Sequence, residues 1–206
     1  MDLVYAKWLQ GGQLVDPTGV PHEVKQYILL SYARAYGLYT FVETGTCHGA
    51  MVKALVRYFE RIETIEMYEP NFVTARRMLA HYSHVACHLG DSAEVLRRLA
   101  DTISDPALFF LDAHYSGGGT ARGEVDTPIV SELEAIARRA NAGDVVVIDD
   151  ARLFAGQPYH TVEFRDYPSL EWIQDFVVDN FPSGMVTHFG DEFVIHPRDP
   201  KREVKL

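Results

Sequence analysis

Cysteine is scarce in this chain. Its 206 residues hold only Cys47 and Cys87, which excludes a disulfide framework and a paired Cys-x-x-Cys metal site. Long apolar runs are missing too. No stretch approaches the ~20 residues a membrane-spanning helix requires, and residues 1–12 contain no apolar run of signal-peptide length. A cytoplasmic protein without a membrane partner is the expectation. Positive charge is in deficit, with 19 Lys and Arg against 29 Asp and Glu and a formal net charge of −10. Nucleic-acid binding needs a clustered basic face that neutralises phosphates. Here the arginine pairs at 76–77, 97–98 and 138–139 are scattered over separate segments of helical pattern, so nucleic acid is not an expected partner. Repeats and low-complexity tracts are also absent.

What is present is an ordinary globular composition, 47% hydrophobic and 23% charged, at a length that suits one domain. The organisation expected is a single domain over 1–206, with a helical cap over 1–37 and a core over 38–198. Short β-branched or aromatic runs alternate with segments of helical period. Strands are expected at 39–43, 62–66, 84–89, 108–112 and 145–149, and helices at 21–36, 48–59, 71–82, 92–103 and 128–141. The unbroken apolar runs at 108–111 and 145–148 suit strands covered on both faces. A βαβα order of this kind predicts a parallel sheet with helices on both sides. After a helix at 169–181, strands at 185–189 and 192–196 are joined by Gly190-Asp191 alone, a connection too short for anything but an antiparallel hairpin.

In open α/β sheets the ligand crevice lies beyond the carboxyl ends of the strands. The residues there are distinctive. The first strand runs into Glu43-Thr44-Gly45-Thr46-Cys47-His48-Gly49, where two glycines permit a sharp turn and close approach to a ligand. Its spacing is not the G-x-G-x-x-G of dinucleotide-binding proteins. Glu66 closes the second strand 23 residues after Glu43, near the offset at which an acidic side chain accepts ribose hydroxyls. Gly90-Asp91-Ser92 follows the third, where Asp91 or Ser92 is also a good helix N-cap. The fourth ends at Asp112-Ala113-His114 and the fifth at Asp149-Asp150. Three carboxylates converging at one rim repel unless something positive holds them. A hard divalent cation such as Mg²⁺ is the simple solution. An unperturbed histidine pKa suits His114 to proton transfer.

These turns, in this order and with the terminal hairpin, resemble the class I S-adenosylmethionine-dependent methyltransferases. The resemblance implies a Rossmann-like, doubly wound, seven-stranded, mostly parallel sheet with its antiparallel hairpin at the C-terminal end. It implies that Glu43, Thr44, Gly45, Thr46 and Gly49 wrap the amino-acid part of S-adenosylmethionine, with Glu43 near its ammonium. Glu66 would hold the ribose, Asp91 and Ser92 the adenine, and Asp112 would border the cofactor. The aspartates resemble a subset, the metal-dependent O-methyltransferases of the catechol and antibiotic-sugar types. That likeness implies a divalent cation on Asp112, Asp149 and Asp150 that orients an acceptor hydroxyl, with Asp112 or His114 as the catalytic base. The catechol-type lysine shortly after the strand-four aspartate is not here; Tyr115, Ser116 and glycines follow instead.

The expected acceptor is a small molecule, a sugar or a natural product, and self-association is expected by analogy. The glycine-rich segment 115–123 and the aromatic connection 152–167 would cover the acceptor, together with Tyr5 and Trp8. Two alternatives stay open. One is a metal-independent N- or C-methyltransferase. The other is a nucleotide-dependent enzyme of another class on a similar sheet.

Overall fold

The computed structural model describes residues 20–114, 125–139, 143–154 and 166–201. The expectations placed on 1–19, 115–124 and 155–165 lie outside them. Seven strands form one sheet: β1 (Thr40–Thr44), β2 (Arg61–Glu66), β3 (Val85–Leu89), β4 (Ala107–Leu111), β5 (Val145–Ile148), β6 (Gly184–Phe189) and β7 (Glu192–Pro197). The strand order is β3-β2-β1-β4-β5-β7-β6. The pairs among β1–β5 are parallel, while β7 runs antiparallel to both β5 and β6. The hairpin expected at the end of the sheet is there, and its second strand is inserted between β5 and its own partner.

Strand residues alternate between two cores, as the period of two requires. Phe41, Leu108, Phe110, Val147 and Val194 face one apolar cluster, which α1 (His22–Tyr36) and α2 (Ala50–Leu55) cover. Val42, Phe109, Leu111, Val146, Ile148 and Ile195 face the other, beneath α4 (Ser92–Ala100) and α5 (Ile129–Ala137). Each fully buried side chain of this size contributes roughly 1.5–3 kcal/mol, and β1, β4 and β5 contribute on both faces. That explains the continuous apolar runs. The edge strand β3 is only partly buried.

Some element ends differ from expectation. The helix over 48–59 is confined to Ala50–Leu55, beginning at Gly49 in a left-handed conformation. Its neighbour α3 spans Glu69–Leu79, and α4 stops at Ala100. The connection expected from 152 opens with a helical turn, α6 (Ala151–Phe154), before α7 (Leu170–Asn180). Among the described residues no helix is long and apolar enough to cross a membrane.

Candidate active site

The strand order reverses between β1 and β4, and a crevice opens there at the carboxyl ends. Gly45 adopts φ 81° at this point, and a Cβ on it would lie 2.2 Å from the carbonyl oxygen of Asp112. Only glycine lets the β1 turn cross the end of β4 so closely. The N–H groups of Gly45 and Thr46 donate to the Ile65 carbonyl at 2.9 and 3.1 Å, tying the turn to β2. Gly49, with φ 79°, serves a different end: a Cβ there would press on Met78 and Leu79 at 3.0 and 3.2 Å. It spaces α2 from α3 and is not part of the cleft wall.

The cleft has a cavity volume of about 180 Å³ and is open to solvent. Gly45, Cys47, Glu66 and Met67 line it together with Gly90, Ser92, Asp112, Ala113 and His114. Five of the residues singled out from sequence thus meet around one cavity: Gly45, Glu66, Ser92, Asp112 and His114. Glu66 is fixed there by two backbone donors. Cys47 N–H reaches its Oε2 at 2.7 Å and Tyr68 N–H its Oε1 at 2.8 Å. Each oxygen keeps a second lone pair for a ligand hydroxyl.

The other residues expected to meet the cofactor lie behind this lining. Glu43 is buried under the turn and accepts from the Thr64 hydroxyl at 2.6 Å. Burial pushes its carboxyl up to about 8; the Thr64 bond opposes this and the Glu66 charge adds to it. Glu43 is therefore mostly neutral at pH 7. The Thr46 hydroxyl bonds that same Thr64. Thr44 turns to the far face, where its hydroxyl and that of Ser92 meet buried Glu132. Burial lifts Glu132 to about 7, opposed by those two nearby hydroxyls. Asp91 caps α4, accepting from Glu94 N–H at 3.1 Å.

The three aspartates expected at the acceptor rim do converge, but each has an internal cation. Asp149 is 4% exposed and its Oδ2 is ion-paired with Lys25 of α1. Asp150 takes a left-handed conformation, φ 58°, tolerable for an aspartate. That turns it away from its neighbour, to His114 Nε2 at 2.6 Å and Arg152 Nη1 at 2.7 Å. Arg152 also pairs with Asp191, which is 1% exposed, from the β6–β7 turn. His114 Nδ1 stands 3.4 Å from Asp112 Oδ1.

These pairings decide the protonation states. For His114 burial works against the charge, but the hydrogen bond and charge of Asp150, with Asp112 and Asp149, raise it to about 9. It is an imidazolium at neutral pH and has no lone pair to take a proton. Lys25 is likewise raised above the usual amine range, because Asp112, Asp149 and Asp150 outweigh its burial. Burial first, and then the Asp149 charge, lifts Asp112 well above the usual carboxylate range. Of the two catalytic candidates, Asp112 is the one whose carboxyl its surroundings make more basic. The His114 and Arg152 contacts hold Asp150 far below that range despite its burial.

Sequence reasoning missed Lys25, Glu132, Arg152, Asp191 and Glu192. Only the hairpin turn carried a hint, in the acidic pair 191–192. A lysine on an N-terminal helix gives no sign of which strand end it will reach.

Asp112, His114 and Asp150 each offer one ligand atom, all within 4.8 Å of one another. Asp149 Oδ1 is buried without a hydrogen-bond partner. Carboxylate oxygens with one imidazole nitrogen fit a divalent cation. The cluster differs from the expected three aspartates in that His114 takes the place of Asp149.

No protein-family model matches the sequence, and no curated protein matches it. Solved structures do match the fold. The O-methyltransferase TomG of Streptomyces achromogenes, involved in tomaymycin synthesis and solved with S-adenosylmethionine, superposes with a TM-score of 0.57. It is 20% identical over 83% of this chain and 78% of TomG. An O-methyltransferase of Bacillus cereus in complex with S-adenosylhomocysteine gives 0.57 at 18% identity, over 84% of this chain and 79% of its own. Cofactor-bound Rv0187 from MTB gives 0.54 at 17% identity, over 98% and 92%. The chain has the class I methyltransferase fold.

Proposed function

We propose that this chain is an S-adenosylmethionine-dependent O-methyltransferase acting on a hydroxyl of a small molecule. One observation carries the reading: the Gly45 turn, Glu66 and the Asp112–His114 rim line a single cleft at the reversal of strand order. The cofactor-bound O-methyltransferases with this fold support it. A dehydrogenase reading loses ground, since its glycine fingerprint is missing and the sheet ends in an inserted antiparallel strand.

S-adenosylmethionine supplies a methyl group on a sulfonium, and a divalent cation, Mg²⁺ or Mn²⁺, supplies Lewis acidity that lowers the pKa of an acceptor hydroxyl. The rest falls to the chain. Glu66 accepts the ribose hydroxyls with the lone pairs its backbone donors leave open. Ser92 and Gly90 border the adenine. The Gly45 backbone passes the amino-acid part, with neutral Glu43 bracing the turn from below. Asp112 borders both sides of the cleft, so it takes the proton from the acceptor oxygen while the methyl group transfers. Without the ion, His114 is protonated and fixes Asp150. Asp112, Asp150 and His114 would hold the ion, His114 as the neutral imidazole left after it gives up its proton, with Asp149 Oδ1 within its surroundings.

A second reading has its own observation. Lys25, His114 and Arg152 already balance the aspartates, so methyl transfer without a metal is the competing mechanism.

Thermal unfolding of EDTA-treated protein tests both. S-adenosylhomocysteine at 100 times its Kd adds about 2.7 kcal/mol, a shift of roughly 5–10 °C at this size. No shift at saturation removes the methyltransferase reading. A further shift with Mg²⁺ favours the metal mechanism; activity that persists in EDTA favours the metal-free one.

A further inference from the structure

A second concavity lies at the other end of the sheet. The candidate cleft opens beyond the carboxyl end of β1, whereas Leu38 and Tyr39 of this groove precede that strand. The five residues of β1, roughly 16 Å of extended chain, separate the two. Ala33 and Arg34 line the groove from the last turn of α1, and Tyr58 and Lys201 line it with Leu38 and Tyr39. Its volume is about 380 Å³, inside the range of small-molecule sites. Ala33 and Leu38 are buried, so part of the lining is apolar surface already out of water.

Two cations and no acidic residue share this lining. That is unusual in a chain whose formal net charge is −10. Lys25, Arg139 and Arg152 each hold an aspartate, but Arg34 and Lys201 hold none among the described residues. Arg34 stands instead over the Tyr58 ring, 5.9 Å from its centroid. Such a cation–π contact steadies the guanidinium and leaves its N–H edge free. The Lys201 side chain lies along Gly37, its ammonium 3.3 Å from where a Cβ would stand. The carbonyl end of α1 accounts for only part of this. It carries roughly half a negative charge, and the Ala33 carbonyl already accepts from the N–H groups of Gly37 and Leu38. Two full positive charges exceed it.

We propose that this groove is a second small-molecule site, which takes a compact aryl carboxylate. Arg34 and Lys201 receive the carboxylate through charge-assisted hydrogen bonds. The ring lies on Ala33 and Leu38 against Tyr39, whose side chain is otherwise 60% exposed. Past Tyr39 the surface continues by Glu60, Arg61 and Asp105, where the sign of charge is mixed, so a long or multiply charged anion does not fit. The inference stands apart from the methyltransferase reading, because none of these residues lines the candidate cleft.

The test is equilibrium dialysis of the full chain against 2-naphthoate. Two controls accompany it: 2-naphthylmethanol, the same ring without the charge, and inorganic phosphate, a charge without a ring. Saturable binding of 2-naphthoate is expected, with each control at least about tenfold weaker. Arg34→Gln and Lys201→Gln should each weaken 2-naphthoate about tenfold, and Tyr39→Ser about threefold. All three side chains are exposed, so melting temperatures should barely move. Saturating S-adenosylhomocysteine should leave the affinity for 2-naphthoate unchanged. Absence of binding, or a control that matches 2-naphthoate within about threefold, overturns the proposal. So does binding indifferent to both charge substitutions, or displacement by S-adenosylhomocysteine.

Discussion

The two walls of the cleft are built on different physical terms. On the proposed cofactor side, β1 and β2 hand over to turns in which Glu66 is held by two backbone N–H groups and Glu43 by the hydroxyl of Thr64. Burial there is met by neutrality, and Glu43 is held mostly uncharged. On the proposed acceptor side, the ends of β4 and β5 and the β6–β7 turn bring carboxylates together and pair them with Lys25, His114 and Arg152, most of them distant in sequence. The first wall is a local design, tolerant of what happens elsewhere. The second depends on α1, the β5 turn and the terminal hairpin all being in place.

Four measurements would break or sharpen that contrast. The largest effect is expected from Arg152→Met, which strips the shared cation from Asp150 and Asp191 and leaves buried charge uncompensated. A loss of about 3–5 kcal/mol should appear as a melting temperature lower by roughly 10 °C. A loss of under about 1 kcal/mol would show that the acceptor wall does not depend on its ion pairs. Next comes Gly45→Ala. Its left-handed φ and the 2.2 Å approach to Asp112 should cost about 2–3 kcal/mol and abolish S-adenosylhomocysteine binding in calorimetry. If binding survives, the turn does not set the cleft. Glu66→Ala is smaller and of another kind. It should raise the Kd for S-adenosylhomocysteine about 10- to 100-fold, as charged hydrogen bonds are lost, while the melting temperature barely moves. A stability loss as large as that of Arg152→Met would erase the distinction between the walls.

The smallest effect is a pH slope. Glu43 is raised to about 8 and Glu132 to about 7, both above their unfolded values near 4.5. The folded state then holds more protons than the unfolded one between those limits, so stability falls as pH rises from about 5 to 8. Glu43→Gln should remove up to ~1.4 kcal/mol per pH unit from that slope. Denaturant titrations at several pH values measure it, and a slope that Glu43→Gln leaves unchanged would mean that Glu43 is ionised in the fold.

The same contrast explains how far the sequence could be read. The strands, the terminal hairpin and the Gly45 turn follow from signals within a few residues of one another: β-branched runs, a glycine pair, a two-residue hairpin connection; the seven-stranded topology comes only through the family resemblance. Glu66 and Ser92 line the cleft because each sits at a strand end that the sequence locates. Asp149 and Asp150 look interchangeable in sequence, yet a positive φ at Asp150 sends them to different partners. The partners themselves, Lys25, Arg152 and Asp191, have ordinary surface-type side chains whose burial is decided only by the packing of α1 and the hairpin. His114 shows the cost of judging from side-chain type alone. Its ordinary pKa suggests a base, and three neighbouring carboxylates make it a base already protonated.

The insertion of β7 between β5 and β6 also sets an order on biosynthesis. A nascent chain that has emerged only through β6 has β5 as an open edge, and β6 has no neighbour to pair with until β7 arrives. Asp191 and Glu192 come with that same strand, so Arg152 is short of one carboxylate partner until then. The cofactor wall can be assembled while the ribosome is still translating; the acceptor wall closes only when the strand slides between its two neighbours. Chaperones meeting this protein would find an exposed strand at the chemical end of the molecule, the kind of edge through which incomplete sheets aggregate.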